Sequence, residues 1–202
     1  MDRYDFPSLS NAGMVVARIC SIFFLNGGQL CLSPDYVLVP KELEEPLIAR
    51  VIDEAQAMYP NITDNNDYAG IFNEKHFARL QSYIDDAVAK GAKLTIVGAN
   101  RTRASEDNRR MPLHILQNVS EDMHVMHEEI FGPILPVMTY SDIKQVPDMI
   151  EPRRTPLAMY YFGKDKTEQE YLLSHVQSGG VCINDITLHY VQEDLPFGGI
   201  GA

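Results

Sequence analysis

The chain has 202 residues, enough for one sizeable hydrophobic core or two small ones, and one domain is the expectation. Apolar residues make up 45% and charged residues 22%, which excludes disordered, collagen-like and disulfide-scaffold proteins. A net charge of −11 repels phosphate backbones and anionic lipids, so we expect neither a nucleic acid nor a membrane partner.

The lack of a recognisable targeting signal and the small number of cysteines predict a cytoplasmic location. No apolar run reaches the roughly 18 residues needed to span a bilayer, and the first residues lack the basic end and apolar stretch of a signal peptide. The 3 cysteines are too few, and odd in number, for a disulfide framework. We expect a cytoplasmic protein with at least one free thiol among Cys20, Cys31 and Cys182.

The apolar pattern changes between helical and strand periods along nearly the whole chain. In the first half it predicts a buried helix over 12–24, a strand over 35–39, an amphipathic helix over 42–59, a loop from residue 61 and a helix over 74–90. On this last helix, the spacing predicts one apolar face, and Gly91 is expected to end the helix. The residues of that face are Phe77, Leu80, Tyr83, Ile84 and Val88.

The second half continues the alternation. Strands are predicted over 93–97, 113–119 and 134–140, with an exposed charged hairpin or loop over 101–110 between the first two. A short helix over 142–150, a buried strand over 157–162, a helix over 166–176 and a strand over 181–184 follow. Strands that alternate with helices indicate an α/β fold with a largely parallel twisted sheet flanked by helices.

The first chemically informative segment is F-L-N-G-G-Q-L-C, residues 24–31. Asn26 and two glycines permit the unusual backbone angles that can present the next side chain in a cleft, and the Gln29 amide can order the turn. Cys31 therefore stands where a nucleophile is presented, although a free cysteine is more often a buried structural residue. A working nucleophile also needs a helix N-terminus, a cation or a base beside it.

The second segment is H-V-M-H-E-E-I-F-G-P, residues 124–133. The His spacing is not the i, i+4 of a zinc-protease helix, so we expect no metal site here. In an extended chain, Glu128 and Glu129 face opposite ways, which allows one to be solvated while the other serves a cleft. Such a carboxylate can accept hydrogen bonds from ribose hydroxyls or act as a general base. A surface acidic pair is the simpler reading.

The third segment is rich in glycine and runs from S-G-G-V-C-I-N-D, residues 178–185, to L-P-F-G-G-I-G, residues 195–201. This density of glycine indicates tight turns or a close approach of the backbone to another group. The spacing matches neither the phosphate-binding P-loop nor the dinucleotide G-x-G-x-x-G, and neither fingerprint occurs elsewhere in the chain.

Together these segments resemble the catalytic domain of the aldehyde dehydrogenase superfamily over nearly the whole chain. The family's F-x-N-x-G-Q-x-C, E-E-I-F-G-P and P-F-G-G stand at residues 24–31, 128–133 and 196–199, in the family's order. The phrases S-P-D-Y-V-L-V-P and S-G-G-V-C-I-N-D look most like the class 3 and coniferyl aldehyde dehydrogenase branch. The resemblance implies an α/β catalytic domain without the Rossmann-type coenzyme domain, which in the family precedes it.

The resemblance also implies roles. Cys31 would add to the carbonyl carbon of an aldehyde and form a thiohemiacetal. A hydride would then pass from the thiohemiacetal to NAD or NADP, and the thioester that remains would be hydrolysed. Glu129 would hold the ribose next to the nicotinamide, and Phe131 would pack beside that nucleotide. The residues that would line the substrate pocket are Asn26, Asn184, Thr187, His189 and Phe197.

The resemblance also sets limits on the isolated chain. The family's catalytic glutamate lies further upstream than the thirty residues that precede Cys31, and the coenzyme domain supplies most of the NAD affinity. We therefore expect negligible turnover from the 202-residue chain alone, and a homo-oligomer or a partner chain carrying the coenzyme domain. The alternatives are a non-catalytic interaction module that retains the fold, and an esterase that depends on Cys31.

Overall fold

The structure, a computed structural model, describes residues 8–98 and 109–201. Of the charged hairpin or loop expected over 101–110, residues 101–108 lie outside the described residues. The chain divides into two compact units. One is Cys20–Thr139, here called the cysteine unit, and the other is Met1–Ile19 with Tyr140–Ala202, here called the terminal unit.

The helices and strands follow the predicted order, and most of their ends lie within two residues of the expected ones. The helices are α1 (Ser8–Leu25), α2 (Glu44–Met58), α3 (Glu74–Ala89), α4 (Val146–Ile150), α5 (Lys166–His175) and α6 (Leu188–Val191). The strands are β1 (Val37–Pro40), β2 (Lys93–Val97), β3 (Leu113–Gln117), β4 (Ile134–Tyr140), β5 (Ala158–Tyr161) and β6 (Gly180–Ile183). The sequence did not predict α6 as a separate helix.

The cysteine unit is built on a sheet with the strand order β1-β4-β3-β2. Strands β3 and β4 run parallel, with His114 opposite Ile134, whereas β2 and β3 run antiparallel, with Lys93 opposite Gln117. Every residue of β3 is buried, as expected for an interior strand covered on both faces. The α/β prediction with a parallel-rich sheet is confirmed, although β2 and β3 pair antiparallel within it.

The terminal unit carries the second sheet, in which β5 and β6 run parallel with Ala158 opposite Gly180. The sequence predicted a buried strand over 157–162, and this is only partly right. Tyr161 is buried, whereas the other residues of β5 are half-buried. A two-stranded sheet gives each strand a single neighbour, so its side chains are covered less than those of an interior strand such as β3.

The buried face of helix α3 belongs to the same hydrophobic cluster as Leu116 of β3 and Ile134 of β4. Its first turn is capped by Asn73, whose side chain accepts a hydrogen bond from the His76 amide at 2.8 Å, and Gly91 ends it with a φ of +99°. The predicted place of Val88 on the apolar face is wrong, because its side chain is 45% exposed. Val88 points about 100° around the helix from the centre of the buried face, and Ala87 is buried instead.

The described residues contain no helix that combines the length and the apolar character needed to cross a membrane.

The two positions on α3 give a direct test of this packing. Leu80 is 0% exposed, so Leu80→Ala should lower the free energy of unfolding by about 2 to 5 kcal/mol through lost contacts and a cavity. Val88→Ala on the same helix should change it by less than about 0.5 kcal/mol. Urea denaturation of the two variants measures both values, and equal losses would contradict the assigned helix face.

Candidate active site

The turn that precedes Cys31 is closed by two reciprocal hydrogen bonds. The Asn26 side chain donates from Nδ2 to the Gln29 carbonyl at 3.1 Å, and the Gln29 side chain donates from Nε2 to the Asn26 carbonyl at 2.9 Å. Gly27 and Gly28 complete the turn with φ values of +60° and +72°, in the left-handed region that glycine adopts without strain. The expected ordering of this turn by Gln29 is therefore present in the structure.

Gln29 also ties the turn to the segment that leads into α3. Its Nε2 donates to the Gly70 carbonyl at 3.2 Å, and its Oε1 accepts from the Phe72 amide at 2.9 Å. The side chain is 6% exposed, so an amide with a missing partner here would be costly. The donor and acceptor atoms of Gln29 are both satisfied, which makes the turn a fixed platform for the residues after it.

Cys31 lies two residues beyond this platform and is exposed, whereas Cys20 and Cys182 are buried. All three are free cysteines and lie in the described part of the chain. Burial raises the pKa of the Cys20 thiol to about 12, and the nearby Glu54 carboxylate adds to this shift. Cys20 is therefore a protonated core residue, as its place in an apolar helix predicted, and Cys31 is the one of these three thiols that is exposed.

The segment 128–133 meets the cysteine turn at Gly28. A Cβ placed on Gly28 would overlap the carbonyl oxygen of Gly132, so the two backbones lie closer than any other residue at position 28 would permit. Gly132 itself packs against the side chain of Leu80, from the buried face of α3. Two of the three motifs, far apart in the sequence, are thus in direct contact within the cysteine unit.

Asp35 forms a second link between these motifs. Its Oδ1 accepts a hydrogen bond from the Ile130 amide at 2.9 Å. Burial raises the pKa of the Asp35 carboxyl to about 6; the Ile130 hydrogen bond opposes this shift, the Glu129 carboxylate adds to it, and Arg79 opposes it. The sequence analysis missed Asp35, although an acidic residue inside the apolar stretch S-P-D-Y-V-L-V was a usable signal.

Both adjacent acidic residues are exposed, as expected for a surface acidic pair, but their contacts differ. Glu128 accepts a hydrogen bond from the Tyr83 hydroxyl at 3.0 Å and lies 3.9 Å from the Arg79 guanidinium. Glu129 is exposed and adjoins Phe131, which is half-buried with a φ of +51°. A left-handed conformation at a bulky aromatic residue is strained, so the surrounding contacts must hold it.

The remaining predicted pocket residues belong to the terminal unit, except Asn26 in the cysteine turn. Asn184 uses its amide on the backbone of Gly163, accepting from its N–H at 2.9 Å and donating to its carbonyl at 3.1 Å. Thr187 has a φ of +59° just before α6, and Phe197 is 48% exposed. Whether these residues line a substrate pocket stays a prediction.

His189 makes a contact that the sequence did not indicate. Its Nδ1 lies 3.2 Å from the Cys182 Sγ, and its ring occupies the space that a side chain at Gly180 would fill. Burial lowers the pKa of His189. The third motif also closes on itself, because a Cβ on Gly179 would overlap the carbonyl oxygen of Gly198. Its glycines therefore serve close backbone approach, as their density predicted.

The histidines of the second motif have local roles. His124 Nδ1 lies 3.6 Å from the Asp86 carboxylate, and His127 Nε2 donates to the Glu121 carbonyl at 2.8 Å. Among the described residues, no group of three or more His, Cys, Asp or Glu side chains is arranged to hold a metal ion.

Comparison with known proteins agrees with these motifs. The model of the aldehyde dehydrogenase family matches residues 10–202. A "Probable coniferyl aldehyde dehydrogenase" of Pseudomonas aeruginosa is 46% identical over 177 residues, which are 88% of this chain and 36% of that protein. The coniferyl aldehyde dehydrogenase of a Pseudomonas species is 39% identical over 93% of this chain and 39% of its own length.

A solved structure of Staphylococcus aureus AldH in a substrate-bound state matches this chain with a TM-score of 0.86 and 34% identity. The match covers 95% of this chain and 40% of the AldH chain. The chain therefore belongs to the aldehyde dehydrogenase family, on its coniferyl aldehyde dehydrogenase and class 3 branch. It spans well under half the length of these relatives. The predicted family and fold are both confirmed.

The raised pKa of Asp35 predicts how pH affects stability. The folded protein binds this proton more tightly than the unfolded chain, so the stabilisation is present below about pH 4 and is lost as pH rises through about 6. Asp35→Asn keeps an acceptor for Ile130 but cannot ionise. Relative to the wild type, this variant should gain about 1.4 kcal/mol of unfolding free energy between pH 5 and pH 8.

Urea denaturation of both proteins at the two pH values measures this gain, and other titrating groups cancel in the comparison. A constant difference between the variant and the wild type would show that Asp35 titrates normally.

Proposed function

We propose that this chain is the cysteine-bearing catalytic domain of an NAD(P)-dependent aldehyde dehydrogenase, which oxidises an aldehyde to a carboxylic acid. The observation that carries the proposal is the exposed Cys31 thiol on a turn that Gln29 fixes and the backbone of Gly132 supports. A nucleophile needs such a combination, because its sulfur must be accessible while its backbone stays in place.

The relatives suggest the substrate class. Two of them carry names that include coniferyl aldehyde, an aromatic aldehyde. We propose an aromatic aldehyde of this type or an aliphatic aldehyde as the substrate, with Asn26, Asn184, Thr187, His189 and Phe197 as candidate pocket residues. Aromatic side chains such as Phe197 suit the apolar part of either substrate.

In the proposed reaction, the Cys31 sulfur adds to the aldehyde carbon, and the carbonyl oxygen becomes an oxyanion. The backbone N–H of Cys31 is a suitable donor for that oxyanion, because it is fixed by the turn before any charge develops. Loss of the hydride from the thiohemiacetal carbon leaves a thioester on Cys31. Addition of water to the thioester releases the acid and restores the thiol, with a general base needed to activate the water.

The residues near Cys31 fit a nicotinamide nucleotide. The exposed Glu129 carboxylate can accept hydrogen bonds from the two hydroxyls of a ribose, and the Phe131 ring can pack against a flat nucleotide face. Both lie on the segment that contacts the cysteine turn. When bound, NAD or NADP supplies the hydride acceptor.

By resemblance, the adenosine contacts belong to a coenzyme domain, and the glutamate that acts as general base lies further upstream than the thirty residues that precede Cys31. We propose that polypeptide 1–202 acts with a partner chain carrying such a domain or within a homo-oligomer, and that it turns over negligibly by itself. Coenzyme binding to 1–202 alone should be correspondingly weak.

Thiol reactivity tests the assigned nucleophile on the chain itself. With iodoacetamide at pH 7 to 8, Cys31 should be alkylated at least about tenfold faster than Cys20, because one thiol is exposed and the other is buried with a raised pKa. p-Nitrophenyl acetate should acylate the same site. Mass spectrometry of peptides locates both modifications, and Cys31→Ser should abolish the acylation while Cys20→Ala retains it.

Equal, slow modification of all three thiols would contradict the proposal and favour a non-catalytic module. Two results together would favour the esterase. Polypeptide 1–202 would turn over the ester catalytically, with this activity lost in Cys31→Ser, and addition of a relative's coenzyme domain would give no aldehyde-dependent NADH formation. NADH formation by that mixture, lost in Cys31→Ser and kept in Cys20→Ala, would support the dehydrogenase.

A further inference from the structure

Two side chains of α3 bind three successive carbonyls of the segment that carries Glu129 and Phe131. Arg79 donates from Nη1 to the Glu129 carbonyl at 3.0 Å and from Nη2 to the Ile130 carbonyl at 2.6 Å. His76 contacts the Phe131 carbonyl through Nε2 at 2.7 Å. These contacts join residues that lie about 50 positions apart, with sequence separations of 50, 51 and 55.

The partners of His76 determine its tautomer. A carbonyl oxygen can only accept, so Nε2 must carry a proton to bond Phe131. Arg79 donates from Nε to His76 Nδ1 at 3.1 Å, and a guanidinium can only donate, so Nδ1 must be unprotonated. Both bonds exist together only when His76 is neutral with its proton on Nε2. His76 thus connects Arg79 to the Phe131 carbonyl through two hydrogen bonds, one at each ring nitrogen.

Arg79 is itself held in place. Its Nη1 also donates to the Tyr83 hydroxyl at 2.8 Å, and its guanidinium lies 5.0 Å from the centre of the Tyr83 ring. Tyr83 in turn donates to Glu128, the residue that begins the segment. The guanidinium is therefore supported from the helix and from the segment, and its planar fork meets the two carbonyls as a unit.

We infer that Arg79 and His76 are positioning residues that clamp the 129–131 backbone, hold Phe131 in its left-handed conformation, and release it when His76 binds a second proton. These contacts of Arg79 and His76 with residues 129–131 are here called the clamp. Only its biological role depends on the proposed function, because that role is to hold Glu129 and Phe131 in place for a nucleotide. Protonation would turn Nδ1 into a donor facing the Arg79 guanidinium, so the Arg79–His76 hydrogen bond would be replaced by repulsion between two cations.

The groups around His76 favour its neutral form at neutral pH. Burial lowers the pKa of His76, the hydrogen bond to Phe131 opposes this shift, and the charge of Arg79 adds to it. Aromatic rings of Phe72 and Phe131 lie 4.7 and 6.0 Å from the imidazole. Three elements carry other charged or titratable groups near the clamp: α3, the segment 128–133 and the loop after Cys31. These groups are Lys75 and Tyr83 on α3, Glu128 and Glu129 on the segment, and Asp35 on the loop.

Hydrogen–deuterium exchange of polypeptide 1–202 at pH 7.5 tests the clamp without substrate or coenzyme. The variants Arg79→Met and His76→Leu should speed exchange of the Ile130 amide, which donates to Asp35, at least about tenfold, because the segment opens more readily once hydrogen bonds to its carbonyls are lost. Lys75→Met, which removes a neighbouring positive charge from the same helix, should leave the segment unchanged. Exchange in β3 should stay constant in all three, since a general loss of stability would accelerate it as well.

A pH profile separates positioning from a merely structural role. In Asp35→Asn, which removes the titrating acceptor of the Ile130 amide, exchange of that amide, corrected for its intrinsic pH dependence, should accelerate on the acid side of neutrality as His76 is protonated. His76→Gln offers a neutral amide donor and acceptor, so in the same Asp35→Asn background it should keep the protection at pH 7.5 and remove the acid-side step. Nitrogen-15 NMR of labelled histidine should show His76 as the Nε2–H tautomer at pH 7.5.

Three results would overturn the clamp: unchanged exchange in Arg79→Met, an acid-side step that persists when His76→Gln is combined with Asp35→Asn, or the Nδ1–H tautomer for His76. If His76→Leu does not fold, the profiles of Asp35→Asn with and without His76→Gln decide alone. Because none of these measurements involves Cys31 chemistry, an inert Cys31 with an intact clamp would refute only the proposed function, and the converse would refute only the clamp.

Discussion

The candidate site depends on the close approach of two backbones, those of Gly28 and Gly132. Gly28 adopts a φ of +72°, and a side chain there would overlap the Gly132 carbonyl. This approach brings the turn before Cys31 against the segment that carries Glu129 and Phe131. The proposed nucleophile, Cys31, and the proposed ribose-binding carboxylate, Glu129, therefore lie on two segments that are remote in sequence but in contact. The glycines of both motifs have a physical reason to be glycine.

Helix α3 supports this junction from its buried side. Leu80 packs against Gly132, while Arg79 and His76 bind the carbonyls of residues 129–131. Asp35, four positions after Cys31, binds the amide of Ile130 in the same segment. The segment is thus held by a charged donor, a neutral histidine and a carboxylate. Two of these three groups have pKa values displaced by burial, so the geometry of the site and its protonation are linked.

Much of this arrangement was predictable from sequence, because it depends on local patterns. Apolar periodicity located the helices and strands, and the residues 24–31 singled out Cys31 over the two core thiols. The partners that support the segment were not predictable, because Arg79, His76 and Asp35 bind backbone groups far away in the chain. Such bonds need no complementary residue type, so even Asp35, which stands out as an acid in an apolar stretch, gives no indication in the sequence of the group it binds. The prediction that Val88 lies on the apolar face was wrong for a different reason. Its spacing matched the helical period only loosely, and Ala87 fits the buried face better.

The central claim is that the contact at Gly28 holds the cysteine turn and the acidic segment together, and one matched pair of variants tests it most directly. Gly28 and Gly91 both have positive φ values, but a Cβ on Gly91 meets no atom within 4 Å. Gly91→Ala should therefore lower the free energy of unfolding by about 1 kcal/mol through backbone strain alone and leave Cys31 alkylation unchanged.

Gly28→Ala should lose at least about 2 kcal/mol more, because strain and overlap with Gly132 add, and the alkylation rate of Cys31 should change. Equal losses in the two variants, with the same rate of Cys31 alkylation, would contradict the account.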